Sequence, residues 1–348
     1  MRLAKSFDVV GLHCEGEIGN VIVGGVGPVP GETMLDKRKY LTEQRDWIRK
    51  LALQEPRGNV ARNANIILPS NNPKADAGYV IMEAIEYPVM SGSNTICVAT
   101  ALLETGMIPA VEPVTNLVLE SAAGLIPVEC QVKDGKVTSV KFTNQPAFVY
   151  QLDAKVDVPG LGTFKVDVAW GGMCYIILPA SDLGLKMDPE EGREIITIAE
   201  RVKMAAAEQI EAVHPLFPEY PGITNCVLTG PATREGNVVT AKNTVVVSPG
   251  RIDRSPCGTG TSARMAVMHA RGELKEGDTF IHKSIIDSTF ICAIEGTTTV
   301  GDRPAIIPSV AGQAWITDFT KIVLDATDPY PTGFKIGDTW PKGLNIGL

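Results

Sequence analysis

The sequence contains no apolar run long enough to cross a bilayer, no CxxC pair and only four histidines, His13, His214, His269 and His282. The first absence argues against a membrane-spanning helix. The other two leave a structural zinc site or a histidine-rich catalytic metal centre with little support. A basic field is missing as well. Its densest run is Lys37-Arg38-Lys39, and 32 Lys and Arg stand against 40 Asp and Glu, a formal charge of −8. Such a balance repels a phosphate backbone, so no nucleic acid is expected as a partner. Neither a GxGxxG turn nor a P-loop occurs, which removes the usual ligands of an ordinary doubly wound sheet. The seven cysteines are odd in number and widely scattered, so they do not form a disulfide framework and mostly read as small buried hydrophobes. Met1 to Lys5 lead into a strand-like run containing Asp8 rather than a signal-peptide core, and cytoplasm is the expected location.

What is present points to two cores. The chain has 348 residues, 44% apolar and 21% charged, which is long for one hydrophobic core and balanced for two. Strand signals dominate, at 7–10, 18–23, 64–68, 77–84, 117–120, 126–129, 137–142, 164–168 and 244–247. Helical spacing covers 34–53 and 188–209, with shorter apolar helices at 95–104 and 261–270. A strand begins at Phe280, is interrupted by His282-Lys283-Ser284, and resumes over 285–291. Val158-Pro159-Gly160-Leu161-Gly162 reads as the turn near which the chain crosses between domains, giving 1–157 and 158–348, with the C-terminal segment returning to the first.

One pattern occurs twice. Ser91-Gly92-Ser93-Asn94-Thr95 runs through an apolar helix to Gly106, and Cys257-Gly258-Thr259-Gly260-Thr261 runs through another to Gly272 at the same interval. Gly92 matches Gly258, Thr95 matches Thr261, and Ser91 and Cys257 hold the lead positions. A helix apolar on nearly all faces needs sheet around it, so each half should enclose one. If the two entrances share a cleft, Ser91 and Cys257 flank one ligand; the plainer alternative is two similar helix N-termini without a common site.

The chemistry of the second entrance is specific. Pro256 biases Ser255 away from helical geometry, and glycines allow close backbone approach. Exposed amides at a helix start suit a small carboxylate, and their field should lower a thiol pKa, making Cys257 a base or nucleophile unless it is simply buried. Asp253 could hold a substrate ammonium or merely cap a turn. Ser91 offers a hydroxyl with no histidine in its motif to activate it, so it can cap its helix, hydrogen-bond to a ligand or relay a proton. One thiol and one hydroxyl suit an asymmetric reaction, in which a proton is removed beside a carboxylate and a substrate group then departs.

Asp253-Arg254-Ser255-Pro256-Cys257-Gly258-Thr259-Gly260-Thr261 resembles the second active-site motif of the proline racemase family, which includes proline racemase, 4-hydroxyproline 2-epimerase and trans-3-hydroxy-L-proline dehydratase. Glu55-Pro56-Arg57-Gly58, Asp167-Val168-Ala169-Trp170-Gly171-Gly172, Ala305-Ile306-Ile307-Pro308 and Asp328-Pro329-Tyr330 extend the resemblance over nearly the whole chain. It implies a diaminopimelate-epimerase-like α/β (α+β) fold of two pseudo-symmetric domains, each a central helix wrapped by mostly antiparallel sheet, working without a cofactor. It also implies that amides at Gly92, Ser93, Gly258 and Thr259 hold the substrate carboxylate, that Asp253 contacts the ring nitrogen, and that the partners are a hydroxyproline and, at most, a second copy in a homodimer. The sequence departs from the racemase pattern at Ser91, where Cys is usual, and at Ser93, where His is usual. Ser or Thr at the first position is typical of the dehydratase branch. The expected activity is therefore trans-3-hydroxy-L-proline dehydration to Δ1-pyrroline-2-carboxylate and water, with Cys257 removing the α-proton and Ser91 assisting the leaving hydroxyl. A 4-hydroxyproline or 3-hydroxyproline 2-epimerase is the alternative, and a non-catalytic imino-acid binder is a third.

Overall fold

A computed structural model describes residues 3–340. The chain divides into two units, one running through Phe142 and resuming at Gly312, the other spanning Thr143–Ala311. In the first unit the elements are β1 (Leu3–Cys14), β2 (Glu17–Gly24), α1 (Met34–Gln44), α2 (Trp47–Leu53), β3 (Arg62–Leu68), β4 (Ala77–Met82), α3 (Gly92–Glu104), β5 (Val114–Ser121), β6 (Gly124–Lys133) and β7 (Lys136–Thr143). The second contains β8 (Ala147–Val158), β9 (Gly162–Trp170), β10 (Cys174–Pro179), α4 (Gly192–Gln209), β11 (Ile223–Glu235), β12 (Val238–Val247), β13 (Arg251–Ile252), α5 (Gly258–Ala270), β14 (Thr279–Lys283), β15 (Thr289–Val300) and β16 (Arg303–Gly312). The chain then returns to the first unit as β17 (Ala314–Asp325), which pairs antiparallel with β1. Among the described residues no helix is long and apolar enough to cross a membrane.

The two units repeat one strand order. In the first, β17, β1, β2, β3, β4, β5, β6 and β7 pair in succession as antiparallel, antiparallel, parallel, antiparallel, parallel, antiparallel and antiparallel. In the second, β8, β9, β10, β11, β12, β14, β15 and β16 follow the same series. There β16 also comes back to β8, at Ala305 with Phe148 and Ile306 with Ala147. A parallel step needs a crossover, and helices fill all four: α1 with α2, then α3, in one unit, and α4, then α5, in the other. The two similar α/β halves and their mostly antiparallel pairing are thus as the sequence led one to expect.

Helix burial follows from this order. Strands β3 and β4 are buried over successive residues rather than alternately, so both their faces are covered. Met34, Leu41, Ile48 and Leu51 of the outer helices pack with Phe7, Ile22, Ile66 and Val80 in one cluster. Helix α3 packs on β1, β2, β3 and β17, and all of Gly92 through Leu103 is buried. Helix α5 packs on β8, β9 and β10, with Gly258 through Met268 buried.

Four expectations need correction. The single helix expected over 34–53 is two, because Arg45 leaves helical geometry (φ −136°) and the Asp46 carboxylate begins α2 by pairing with Arg49 at 2.7 Å and Lys50 at 3.0 Å. The turn at Val158–Gly162 is no crossover; it closes the β8–β9 hairpin inside the second unit, and the division falls after Phe142. Helix α4 begins at Gly192, after a short 3-10 turn (Pro189–Glu191) started by an Asp188–Glu191 capping box. His282 does not interrupt a strand. It lies fully buried within β14, and the break comes after Lys283, where Ser284 and Ser288 close a turn.

Two of the motifs that support the family resemblance meet in the first unit. Arg57 donates to the Val323 carbonyl at 2.9 Å and the Tyr330 carbonyl at 3.2 Å, and it pairs with Asp328. Phe334 donates its amide to the Glu55 carbonyl at 2.8 Å. Gly333, at φ +73°, lies so close that a Cβ there would come within 2.5 Å of that same oxygen. These motifs strap the segment after β17 onto the loop after α2, a structural role.

Candidate active site

The repeated pattern of the sequence becomes two helices of thirteen residues each, α3 and α5, with Ser91 and Cys257 as their N-cap residues. Gly106 and Gly272 follow the helix ends in left-handed geometry, at φ +72° and +74°. The amides of a first turn have no carbonyl four residues back within the helix. In α3 these are Gly92, Ser93 and Asn94, the first two expected to hold a carboxylate.

Ser91 does not cap that turn. Its backbone is extended and its Oγ makes no bond to a helix amide, accepting instead from Asn94 Nδ2 at 2.9 Å. Asn94 Oδ1 in turn accepts from Asn65 Nδ2 on β3 at 2.7 Å. Ser91 Oγ therefore keeps its own proton to donate, on a half-buried side chain. The Ser91 carbonyl is held by Thr95, through its amide at 3.0 Å and its hydroxyl at 2.7 Å. Ser93 is buried beside it.

Cys257 has φ +65°, the left-handed region that a residue with a Cβ enters only when its surroundings enforce it. They do. Asp253 Oδ1 accepts from both the amide and hydroxyl of Ser255 at 2.9 Å, and Ser255 Oγ accepts the Cys257 amide at 3.1 Å. On the other side, the Pro256 carbonyl accepts from Asn243 Nδ2 at 3.0 Å and Thr261 Oγ1 at 3.2 Å. Thr261 Oγ1 also lies 2.7 Å from His282 Nδ1, and His282 Nε2 lies 2.9 Å from Arg264. A guanidinium can only donate, so Nε2 accepts, Nδ1 carries the proton to Thr261, and the Thr261 hydroxyl turns to Pro256. Burial and then Arg264 hold His282 well below its ordinary pKa, which keeps this tautomer neutral. The polar residue that breaks the apolar pattern at 282 is thus the middle of a buried chain ending on the carbonyl before Cys257.

Three hydrogen-bonding groups surround the sulfur: the Gly260 amide, which donates at 3.4 Å, the Tyr175 hydroxyl at 3.4 Å and the Thr259 hydroxyl at 3.8 Å. The expected lowering of the thiol is nevertheless not found. Burial pushes the Cys257 thiol up, the Asp253 carboxylate pushes it further, and hydrogen bonds with these three groups oppose them without winning. Desolvation can shift a fully buried group by several units, whereas a helix N-terminus is worth at most about 2 kcal/mol, about 1.5 units. Asp253 is itself buried, and its Oδ1 fixes the Ser255 turn, the capping role weighed for it. Gly258 and Thr259 are buried in the first turn of α5.

Sequence reasoning missed several of these supports. Tyr175, Asn144, Asn243, His282 and Arg264 lie on other elements or further along α5, with no spacing that ties them to Cys257. Gly171 did leave a signal, within Asp167-Val168-Ala169-Trp170-Gly171-Gly172. A Cβ at Gly171 would fall 2.2 Å from the Thr259 carbonyl oxygen and 2.5 Å from the Ala263 amide, so only glycine lets this turn touch α5. Asn144 Nδ2 fastens the contact, donating to the Gly171 carbonyl at 2.8 Å and to Ser262 Oγ at 3.0 Å.

Fold and site together define a two-unit α/β protein whose polar centres lie at the N-termini of enclosed helices. The chain belongs to the proline racemase family, which it matches over residues 9–335. A hydroxyproline epimerase from Agrobacterium vitis, solved with bound trans-4-hydroxy-L-proline, is 37% identical, covers 99% of each chain and superposes with a TM-score of 0.92. A probable proline racemase from Agrobacterium radiobacter K84, solved with bound carbonate, is 35% identical over 96% of this chain and 98% of that one, with a TM-score of 0.90. A methylitaconate-delta-isomerase, 13% identical over 92% and 96%, shares the fold at a TM-score of 0.56.

Gly171→Ala should destabilise the protein by about 1–3 kcal/mol, the range for forcing atoms into a packed interior, measured by urea denaturation. Unchanged stability would show that the turn can withdraw from α5. Raised thiols carry a second consequence. Burial pushes up Cys97, Cys174, Cys226, Cys257 and Cys292 alike, so above about pH 8.5 the unfolded chain releases protons the fold retains. Folding stability should therefore fall as pH rises from about 8.5 to 10, and a flat profile of denaturation midpoints would contradict this thiol environment.

Proposed function

We propose that the protein is a hydroxyproline 2-epimerase that moves a proton at Cα through Cys257. The observation that carries this reading is the likeness, over 99% of both chains, to a hydroxyproline epimerase solved with trans-4-hydroxy-L-proline. The sequence alone favoured the dehydratase; this likeness shifts the weight to the epimerase.

In the proposed reaction the amides of Gly92, Ser93, Gly258 and Thr259 bind the substrate carboxylate, where negative charge grows as the Cα–H bond breaks. Asp253 pairs with the ring nitrogen. That pairing has an electrostatic consequence for the base. Asp253 is the charge that raises the Cys257 thiol, and a substrate ammonium beside it cancels much of that effect. Substrate binding thus weakens one of the two effects that disfavour the thiolate. Cys257 then takes the α-proton, and the opposite face receives a solvent-derived proton relayed by Ser91.

A second reading, dehydration of trans-3-hydroxy-L-proline, is favoured by the unequal pair. Ser91 accepts from Asn94 and has its own proton to give, which suits protonation of a departing hydroxyl. Cys257 would again remove the α-proton, water would leave, and the enamine would tautomerise to Δ1-pyrroline-2-carboxylate.

Incubation with trans-4-hydroxy-L-proline should change optical rotation without imine formation, and Cys257→Ala should abolish the change. Imine from trans-3-hydroxy-L-proline, with no epimer of either substrate, would overturn the first reading in favour of the second. Ser91→Cys, which supplies a second thiol, should raise the epimerisation rate at least about tenfold, since general acid–base groups contribute about 10²–10⁴-fold.

A further inference from the structure

The sulfur of a Cα base must exist in two forms during turnover, thiol and thiolate, and its surroundings have to serve both. The Gly260 amide can donate to the sulfur in either form, but an N–H cannot accept from S–H. The Tyr175 hydroxyl on β10 is different. It lies 3.4 Å from Cys257 Sγ and 2.6 Å from Thr259 Oγ1, with the ring fully buried. A phenol oxygen both donates and accepts, and so does the threonine hydroxyl behind it.

We propose that Tyr175 is a positioning residue for Cys257, whose hydroxyl reverses direction with the protonation state of the sulfur. This rests on Cys257 being the Cα base of the proposed function. In the thiol form, S–H donates to Tyr175 Oη, and the Tyr175 O–H points to Thr259 Oγ1. In the thiolate form the Tyr175 O–H turns to the sulfur, and the Thr259 hydroxyl donates to Tyr175 Oη. No hydroxyl loses its partner in either state, and the only bond made or broken is the one between sulfur and the substrate's proton. Burial keeps the phenol far above its ordinary pKa, so it remains O–H throughout. A purely structural tyrosine would need only its Thr259 contact.

The test is the rate of Cys257 alkylation by iodoacetamide in the full chain at about pH 8, where the fold is stable and the rate follows the small thiolate fraction, read at that residue by peptide mass spectrometry. Tyr175→Phe should lower this rate about threefold to tenfold, the loss of one charge-assisted hydrogen bond to the thiolate. An unchanged or raised rate would overturn the proposal and leave Tyr175 a packing residue. If Tyr175→Phe does not fold, Thr259→Val tests the same chain from its far end. It should lower the rate by less, and an unchanged rate would again overturn the idea. Alkylation needs no substrate, so a lowered rate in a protein inert toward both hydroxyprolines would support the role of Tyr175 while sinking the proposed function.

Discussion

Enclosing a short helix in sheet on nearly every side is the constraint from which the rest of this structure follows. Helices α3 and α5 can be buried along almost their full length because each supplies its own backbone bonds, but the first turn cannot complete them. Amides are left pointing out of each helix start within the interior of a unit, where polar groups are costly unless paired. Polar side chains gather at each helix start, Asn94 and Asn65 beside Ser91, and Asp253, Ser255 and Tyr175 around Cys257. A carboxylate ligand would satisfy the same amides, which connects the architecture to the proposed chemistry.

At Cys257 two opposing effects set the reactivity. Local amides and hydroxyls favour the thiolate, while burial and Asp253 favour the thiol, and the second pair prevails. Burial is the larger of the two, and the carboxylate is the part that a ligand charge can offset. In the proposed reaction a cationic ring nitrogen would do so as the base is needed. The left-handed backbone of Cys257 is held from both sides, by the Asp253–Ser255 turn and by the Arg264–His282–Thr261 chain on the Pro256 carbonyl. Such support fixes the direction of the sulfur, as a proton-transfer group requires.

The repeated helices could be read from the sequence because their ends carry chemistry: glycine opens each helix, and glycine in left-handed geometry follows it. The matching strand order could not, since equivalent strands share a pairing pattern and not residues. Val158 to Gly162 looked like a linker because a Pro-Gly turn reads the same in a hairpin as between domains. His282 looked like a break because its partners, Thr261 and Arg264, stand on a helix many residues earlier. Cys257 and Asp253 stood out because their motif is specific, and Ser91 because it opens the matching helix. Tyr175 was not, because only the pairing of β10 with its neighbours brings its hydroxyl to the sulfur.

The central claim is that Cys257 moves a proton at Cα of a hydroxyproline. Proton NMR of trans-4-hydroxy-L-proline incubated with the protein in D2O reads that step directly, whatever product follows. Loss of the Cα proton signal with the intact chain, and its retention with Cys257→Ala, is the expected result. Equal exchange in both proteins, or none in either, would contradict the account.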